Sequence, residues 1–104
     1  MLQKKKSWIE LLNEFYMYNE AEPLTPKAAS LYMYLLYRFN RAFWRQPICI
    51  RLTTLADATA QSYRSVQNAR AELVAAGFIY YESSGGSAAA RYYLPNIKKD
   101  HEIS

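Results

Sequence analysis

The sequence predicts a mainly α-helical domain with a small β wing, a winged helix-turn-helix with an additional N-terminal helix. Three observations within residues 52–94 support this prediction. A short helical pattern leads into a tight turn, a longer amphipathic helix ends at Gly77, and two β-rich segments follow without a spacer. This order of elements is typical of proteins in which a helix pair precedes a hairpin.

The composition indicates one compact domain. The chain has 104 residues, of which 51% are hydrophobic and 15% aromatic, enough apolar material for a single core. It contains one cysteine, Cys49, and one histidine, His101, so neither an internal disulfide nor a zinc ligand set is expected. No apolar run approaches the roughly 20 residues that a membrane-spanning helix needs. We therefore expect a cytoplasmic protein that binds no metal or cofactor and does not enter a membrane.

The net charge of +4 is unevenly distributed. Residues 1–24 contain three lysines and four glutamates, whereas residues 38–91 contain seven arginines and three carboxylates. The positive charge therefore lies on the half that contains the predicted helix-turn-helix, as attraction to DNA phosphates would require. A pI near 9.2 is also common among proteins that bind no nucleic acid.

The N-terminal region, residues 1–24, is predicted to form one aromatic helix and a loop. Ser7, with Glu10 three residues later, is a capping-box pattern, and apolar residues then recur at helical spacing, which predicts a helix over 8–18. The aromatic and apolar residues cover more of this helix than one buried stripe needs, which suggests a second contact that forms a homodimer. They are Trp8, Phe15, Tyr16, Met17 and Tyr18.

The winged-helix domain is predicted to span residues 25–95 and to begin with a long helix. Thr25 and Pro26 stand in the positions that an N-cap and a first-turn proline prefer, and Pro47 is expected to close the helix. Its wide apolar stripe comprises Ala28, Leu31, Tyr32, Leu35, Leu36, Phe39, Ala42 and Phe43. Its opposite side carries Tyr34, Arg38, Arg41 and Arg45.

The predicted helix pair follows a short β-rich run over 48–52, which we expect to pair with the edge of the hairpin. Thr53 or Thr54 is expected to cap a brief helix over 55–59. Ser62 is the N-cap of the next helix, predicted over 63–76 and stopped by Gly77, with a buried stripe of Val66, Ala69, Leu73 and Val74.

The wing is predicted as two strands, over 78–82 and 91–94, joined by a flexible loop over 83–90. Strand alternation assigns one face to Ile79, Tyr81, Tyr92 and Leu94, the better core candidates, and the other to Tyr80, Glu82, Arg91 and Tyr93. Tyr80 and Tyr93 are expected to form an exposed cross-strand pair. Residues 96–104 are polar and unpatterned, as in a tail or the start of a linker.

The helix after Ser62 carries the candidate DNA-binding residues, because the second helix of such a pair lies in the major groove. They are Ser62, Tyr63, Arg64, Gln67, Asn68 and Ala71, with Arg91 of the wing as the one phosphate anchor there. Arginine reads guanine, and glutamine or asparagine reads adenine, whereas Ser62 suits a phosphate. For any single polar residue, a solvated helix face is the competing explanation. Arg70, two residues from Glu72, is expected to form a structural ion pair or to contact a phosphate rather than to read a base.

Residues 24–94 resemble the winged-helix N-terminal domain of DnaD-like and phage replisome-organiser replication proteins. The motifs are Leu-Thr-Pro-Lys-Ala at 24–28, Leu-Tyr-Met-Tyr-Leu-Leu at 31–36, Leu-Ala-Asp-Ala-Thr at 55–59, Ser-Tyr-Arg-Ser-Val at 62–66, Ala-Arg-Ala-Glu-Leu at 69–73 and Gly-Phe-Ile-Tyr-Tyr at 77–81. The resemblance implies a DNA-binding or replisome-assembly module that helps to initiate replication of a phage, plasmid or mobile element. The chain departs from the family pattern at Ala60, where glycine is usual, and in a wing tip without lysines.

Two classes of function remain open on the sequence, and a third is not expected. The first is a non-enzymatic module that binds double-stranded DNA, in replication or as a transcriptional regulator. The second is a protein-interaction module that dimerises through the N-terminal helix and bridges other replication proteins. An enzyme is not expected, because the chain offers one tail histidine, one cysteine in a predicted strand, no phosphate loop and no clustered carboxylates.

Overall fold

The computed structural model describes residues 7–83 and 89–95, which form a mainly helical domain with a small three-stranded antiparallel sheet. The helices are α1 (Trp8–Ala21), α2 (Pro26–Arg41), α3 (Leu52–Thr59) and α4 (Tyr63–Ala75). The strands are β1 (Ile48–Ile50), β2 (Tyr80–Glu82) and β3 (Ala90–Tyr93). The tip of the predicted wing loop, 84–88, and the predicted tail, 96–104, lie outside the described residues. Within the described ranges, no helix is long and apolar enough to cross a membrane.

The sheet has the strand order β1-β3-β2, so the strand before the helix pair joins the hairpin edge as predicted. Tyr92 of β3 lies opposite Ile48 on one side and Tyr81 on the other, and this row faces the core. Arg91 lies between Cys49 and Glu82 on the outer face. The predicted alternation of the wing strands is therefore confirmed.

The core is built where α1, α2 and α4 meet the sheet. Phe15 of α1 stacks on Tyr32 of α2 with ring centroids 4.6 Å apart, and Phe78 meets Phe15 edge-on at 5.2 Å. Tyr32 and Phe39 are fully buried, which confirms their prediction as core residues. α2 packs chiefly against α4 and α3, so the long central helix supports the helix pair.

Side-chain caps begin three of the four helices. Ser7 and Glu10 form the predicted capping box of α1, with bonds of 3.3 and 2.8 Å. Thr25 caps α2 and Ser62 caps α4, each by accepting from the backbone N–H three residues later. The predicted cap of α3 is wrong. This helix begins at Leu52, directly after β1, and its N-cap Arg51 makes no side-chain cap bond.

Three helices end in one common arrangement, in which a residue with positive φ closes a Schellman-type pair of backbone bonds. After α4 this residue is Gly77, with φ +83°, as predicted. After α3 it is Ala60, with φ 54°, where the resemblance would place glycine. After α2 it is Phe43, with φ 56°, so that helix ends well before Pro47. In this conformation Phe43 points outward and is 77% exposed, which contradicts its predicted burial.

Two further predictions about helix faces and lengths are corrected. α1 continues to Ala21 rather than ending at residue 18, because Asn19, Glu20 and Ala21 tolerate a helix and the chain turns only before Pro23. Val74 is 39% exposed and is not part of the buried stripe of α4. The buried residues of this helix are Val66, Ala69 and Leu73.

Candidate nucleic-acid interface

The exposed face of α4 brings together the candidate residues that the sequence assigns to this helix. Its opposite side is buried against α2 and α3, which fixes the direction in which the exposed face points. The exposed residues at and after its start are Ser62, Tyr63, Arg64, Gln67, Asn68 and Ala71. The arrangement presents one cation and two side-chain amides on adjacent turns of a rigid helix.

Ser62 is occupied by its role as N-cap. Its Oγ accepts a hydrogen bond of 3.1 Å from the backbone N–H of Ser65 and lies 3.1 Å from the Ser65 hydroxyl. The hydroxyl that the sequence assigned to a phosphate therefore already accepts a hydrogen bond from a backbone N–H in the first turn of α4. A helix start capped in this way is held in place for an approaching anion, which its positive dipole end attracts.

Lys27 lies beside the first turn of α4, and sequence reasoning missed it. Its Nζ is 3.3 Å from the Oγ of Ser65, and its backbone carbonyl accepts a 3.0 Å hydrogen bond from the side-chain amide of Gln61. Lys27 thus adds a cation beside the first turn of α4 and fastens the turn between α3 and α4 to α2. Its position in the sequence could have indicated a role for Lys27. A lysine in the first turn of a helix lies at the positive end of the helix dipole, which is unfavourable for a cation.

Glu72 anchors the other end of this contact between α4 and α2. Its carboxylate accepts hydrogen bonds from the backbone N–H of Thr25 at 3.1 Å and from the Thr25 hydroxyl at 2.8 Å. A shallow cavity of about 170 Å³ lies beside this contact, and Asn68 is on its wall. Because the contact spans 47 residues of sequence, it fixes how α4 is presented relative to α2.

Arg70 has a structural role, but its partners are two tyrosines and not a carboxylate as the predicted ion pair would require. Its guanidinium donates a 3.0 Å hydrogen bond to the hydroxyl of Tyr92 and lies 4.3 Å from the ring centroid of Tyr81. Burial raises the pKa of the Tyr92 hydroxyl above its usual value, although the bond from Arg70 opposes that shift. Arg70 therefore joins α4 to the sheet, and its charge faces Tyr81 and Tyr92 of that sheet.

Arg91 does not join the group on α4. Since Tyr92 faces α4, the alternation of β3 directs Arg91 to the opposite face of the sheet. There its Nε is 3.4 Å from the Oε1 of Glu82, which also accepts a 3.2 Å bond from the Tyr93 hydroxyl. The adjacent Tyr80 and Tyr93 rings are 5.5 Å apart, as predicted for a cross-strand pair. Arg91 thus forms an ion pair with Glu82 on the outer face of the sheet.

Comparison with known proteins adds no assignment to this geometry. No family model, curated protein or solved structure matches the chain.

Proposed function

We propose that the protein is a winged helix-turn-helix module that binds double-stranded DNA through the exposed face of α4. The observation that carries the proposal is the grouping of Arg64, Gln67 and Asn68 on adjacent exposed turns at the start of this helix. These side chains have the donors and acceptors that read base edges in the major groove. A helix held at both ends by α2 could enter the groove as a rigid element.

The element order supports this proposal. A helix, a strand, two helices and a hairpin follow one another, and the first strand pairs with the last. This order is the one expected of a winged helix, with α3 and α4 as the helix pair. The resemblance of residues 24–94 to replication proteins is the sole basis for proposing initiation of replication as the process served, and transcriptional control is the alternative.

The charges beside α4 support a division of labour within the proposed interface. Lys27 lies next to the first turn of α4, where a phosphate would meet both its ammonium and the helix N-terminus. Arg64 lies one turn away from Asn68 on the exposed face. We assign Lys27 to the backbone of the duplex and Arg64, Gln67 and Asn68 to the bases.

Binding across a salt series tests the two roles. Lys27→Ala should weaken binding to all duplexes alike and reduce the slope of log K against log salt by about 0.9, the value for one phosphate contact. Asn68→Ala should weaken binding to a duplex selected from a random pool and leave binding to unselected duplexes near the wild-type value. Equal effects of both variants on both kinds of duplex would contradict the assignment.

A second candidate function is self-association through α1. Four large apolar side chains on this helix are about half exposed or more: Trp8, Ile9, Tyr16 and Met17. An apolar groove of about 250 Å³ runs beside Trp8, between α1 and α2. If this surface forms a dimer, sedimentation equilibrium should give twice the chain mass, and Trp8→Ala with Met17→Ala should return the monomer. A wild-type monomer at high protein concentration would exclude it.

A further inference from the structure

A second surface lies at the C-terminal end of α2, away from α4. An open cleft of about 590 Å³ is lined by Tyr34, Tyr37, Arg38 and Arg41 of α2 and by Ile48 and Cys49 of β1. Its volume is within the range of roughly 300–1,000 Å³ that is usual for ligand sites. Lys27 and Arg41 are 14 residues apart on one helix, which separates the two surfaces by about 20 Å.

Two tyrosine–arginine pairs, each four residues apart on α2, line the wall of the cleft. Arg38 donates a 3.0 Å hydrogen bond to the hydroxyl of Tyr34, and Arg41 donates one of 3.4 Å to the hydroxyl of Tyr37. Each guanidinium carbon lies 5.8 Å from the centroid of its tyrosine ring, and the two rings are 5.8 Å apart. The result is a cluster of two aromatic rings and two guanidinium groups. The hydrogen bonds within it are to neutral hydroxyls, so they leave the charge of each arginine intact.

The charge of this region is not balanced by nearby carboxylates in the sequence. Residues 23–56 contain no aspartate or glutamate and five cations, which exceeds the net charge of +4 for the whole chain. Neither α2 nor β1 therefore supplies an acid to the cleft. Arg38 and Arg41 stand in the last turns of α2, where the negative end of the helix dipole stabilises them.

Phe43 is a further exposed aromatic residue, just beyond the end of α2. It is 77% exposed, and the guanidinium of Arg45 lies 6.0 Å from its ring centroid. Both Phe43 and Trp44 have positive φ, at 56° and 61°, a conformation that costs energy in bulky residues. The chain thus keeps a large aromatic ring in solvent beside an arginine, two residues after Arg41 in the sequence.

We propose that this surface binds single-stranded nucleic acid, with bases stacked on Tyr37 and Phe43 and phosphates held by Arg38 and Arg41. Surfaces that combine aromatic rings with arginines bind single nucleic-acid strands by stacking and by phosphate contacts. Every base offers a flat face to stack on, and every nucleotide carries a phosphate. A duplex cannot use the surface equally well, since its bases already stack on one another. This activity is additional to the duplex binding proposed for α4 and uses different residues.

Fluorescence anisotropy with labelled oligo(dT) and oligo(U) tests the proposal on the whole chain, with oligomers of about 12 nucleotides. Tyr37→Ala should weaken binding at least about five-fold, the loss of one stacked base. Arg41→Ala should reduce the salt slope by about 0.7. Tyr80→Ala, which removes a similarly exposed tyrosine from β2, should bind as the wild type does. Preference between the two oligomers then shows whether DNA or RNA is the ligand.

Three results would overturn the proposal. They are no binding of either oligomer by the wild-type chain at low salt, unchanged binding by both Tyr37→Ala and Arg41→Ala, and equally tight binding of an abasic strand of the same length. Tyr37→Ala should leave duplex binding unchanged, and Arg64→Ala should weaken duplex binding alone. Loss of either activity can therefore be recognised without reference to the other.

Discussion

The guanidinium of Arg70 donates a 3.0 Å hydrogen bond to the hydroxyl of Tyr92 and thereby joins α4 to the central strand of the sheet. Tyr92 is fully buried, and Tyr81 lies 4.3 Å from the same guanidinium. Arg70 Nε is buried with no hydrogen-bond partner among the described residues, so Tyr92 is the group that holds this charge in place. The contact connects α4, the helix proposed to bind DNA, to the sheet.

Tyr92→Phe should therefore lower the free energy of unfolding by about 2 kcal/mol, because it leaves a partly buried guanidinium without its hydrogen bond. Denaturant unfolding measures the change. Tyr80→Phe removes a hydroxyl from the exposed side of the same sheet and should change stability by less than about 0.5 kcal/mol. Equal stabilities for the two variants would show that the Arg70 contact contributes little.

Ala60→Gly should raise the free energy of unfolding by about 1 kcal/mol, because glycine adopts the left-handed conformation of this residue without steric cost. Thermal unfolding is a suitable measurement. Ala58, exposed on the preceding turn of α3, gives the matched control. Ala58→Gly should lower stability by a similar amount, because that position is helical. The same sign for both substitutions would argue against the left-handed turn.

Thr25 and Glu72 should behave as a coupled pair. Thr25→Ala removes both the N-cap of α2 and the hydroxyl that Glu72 accepts at 2.8 Å, so it should cost about 1 kcal/mol or more. In a double-mutant cycle with Glu72→Ala, the second substitution should cost about 0.5 kcal/mol less once the first is present. Strictly additive costs would mean that the contact across the two helices contributes nothing to stability.

Tyr32→Phe should leave the protein as stable or make it more stable at neutral pH, by up to about 1 kcal/mol. Its hydroxyl is buried with no hydrogen-bond partner among the described residues. Burial, and secondarily the charge of Glu14, raises the pKa of Tyr32 above its usual value of about 10. The unfolded chain therefore releases this proton first, and stability falls as pH rises above about 10.

The alkaline part of this prediction has its own measurement. The free energy of unfolding should decline less steeply above pH 10 in Tyr32→Phe than in the wild type. A parallel decline in Tyr32→Phe would contradict the assignment to Tyr32.

Helix ends show where sequence reasoning succeeds and where it fails. Glycine is the residue that most often adopts a positive φ after a helix, so Gly77 makes the end of α4 predictable from the sequence. Phe43 and Ala60 adopt the same geometry without a glycine, because the backbone bonds and buried neighbours of each helix end impose it. The start of α3 is also set by tertiary structure, since the helix follows β1 directly at Leu52 and needs no side-chain cap.

The same division applies to the two candidate surfaces. The exposed face of α4 follows from helical spacing, because subtracting its buried stripe leaves Arg64, Gln67 and Asn68. Lys27 reaches that face from another helix, so the spacing of residues within α4 does not reveal it. Tyr34, Arg38 and Arg41 were visible as a polar side of α2, but the cleft also needs Ile48 and Cys49 of β1, which no helical pattern places beside them.

Duplex binding by the α4 face is tested most directly by fluorescence anisotropy with a DNA duplex selected from a random pool. Arg64→Ala combined with Asn68→Ala should weaken binding at least ten-fold, because each bidentate base contact contributes about 1–3 kcal/mol of discrimination. Asn13→Ala, on the exposed side of α1, should bind as the wild type does. Wild-type affinity in the doubly substituted protein, or no duplex binding by the wild type at low salt, would contradict the proposed function.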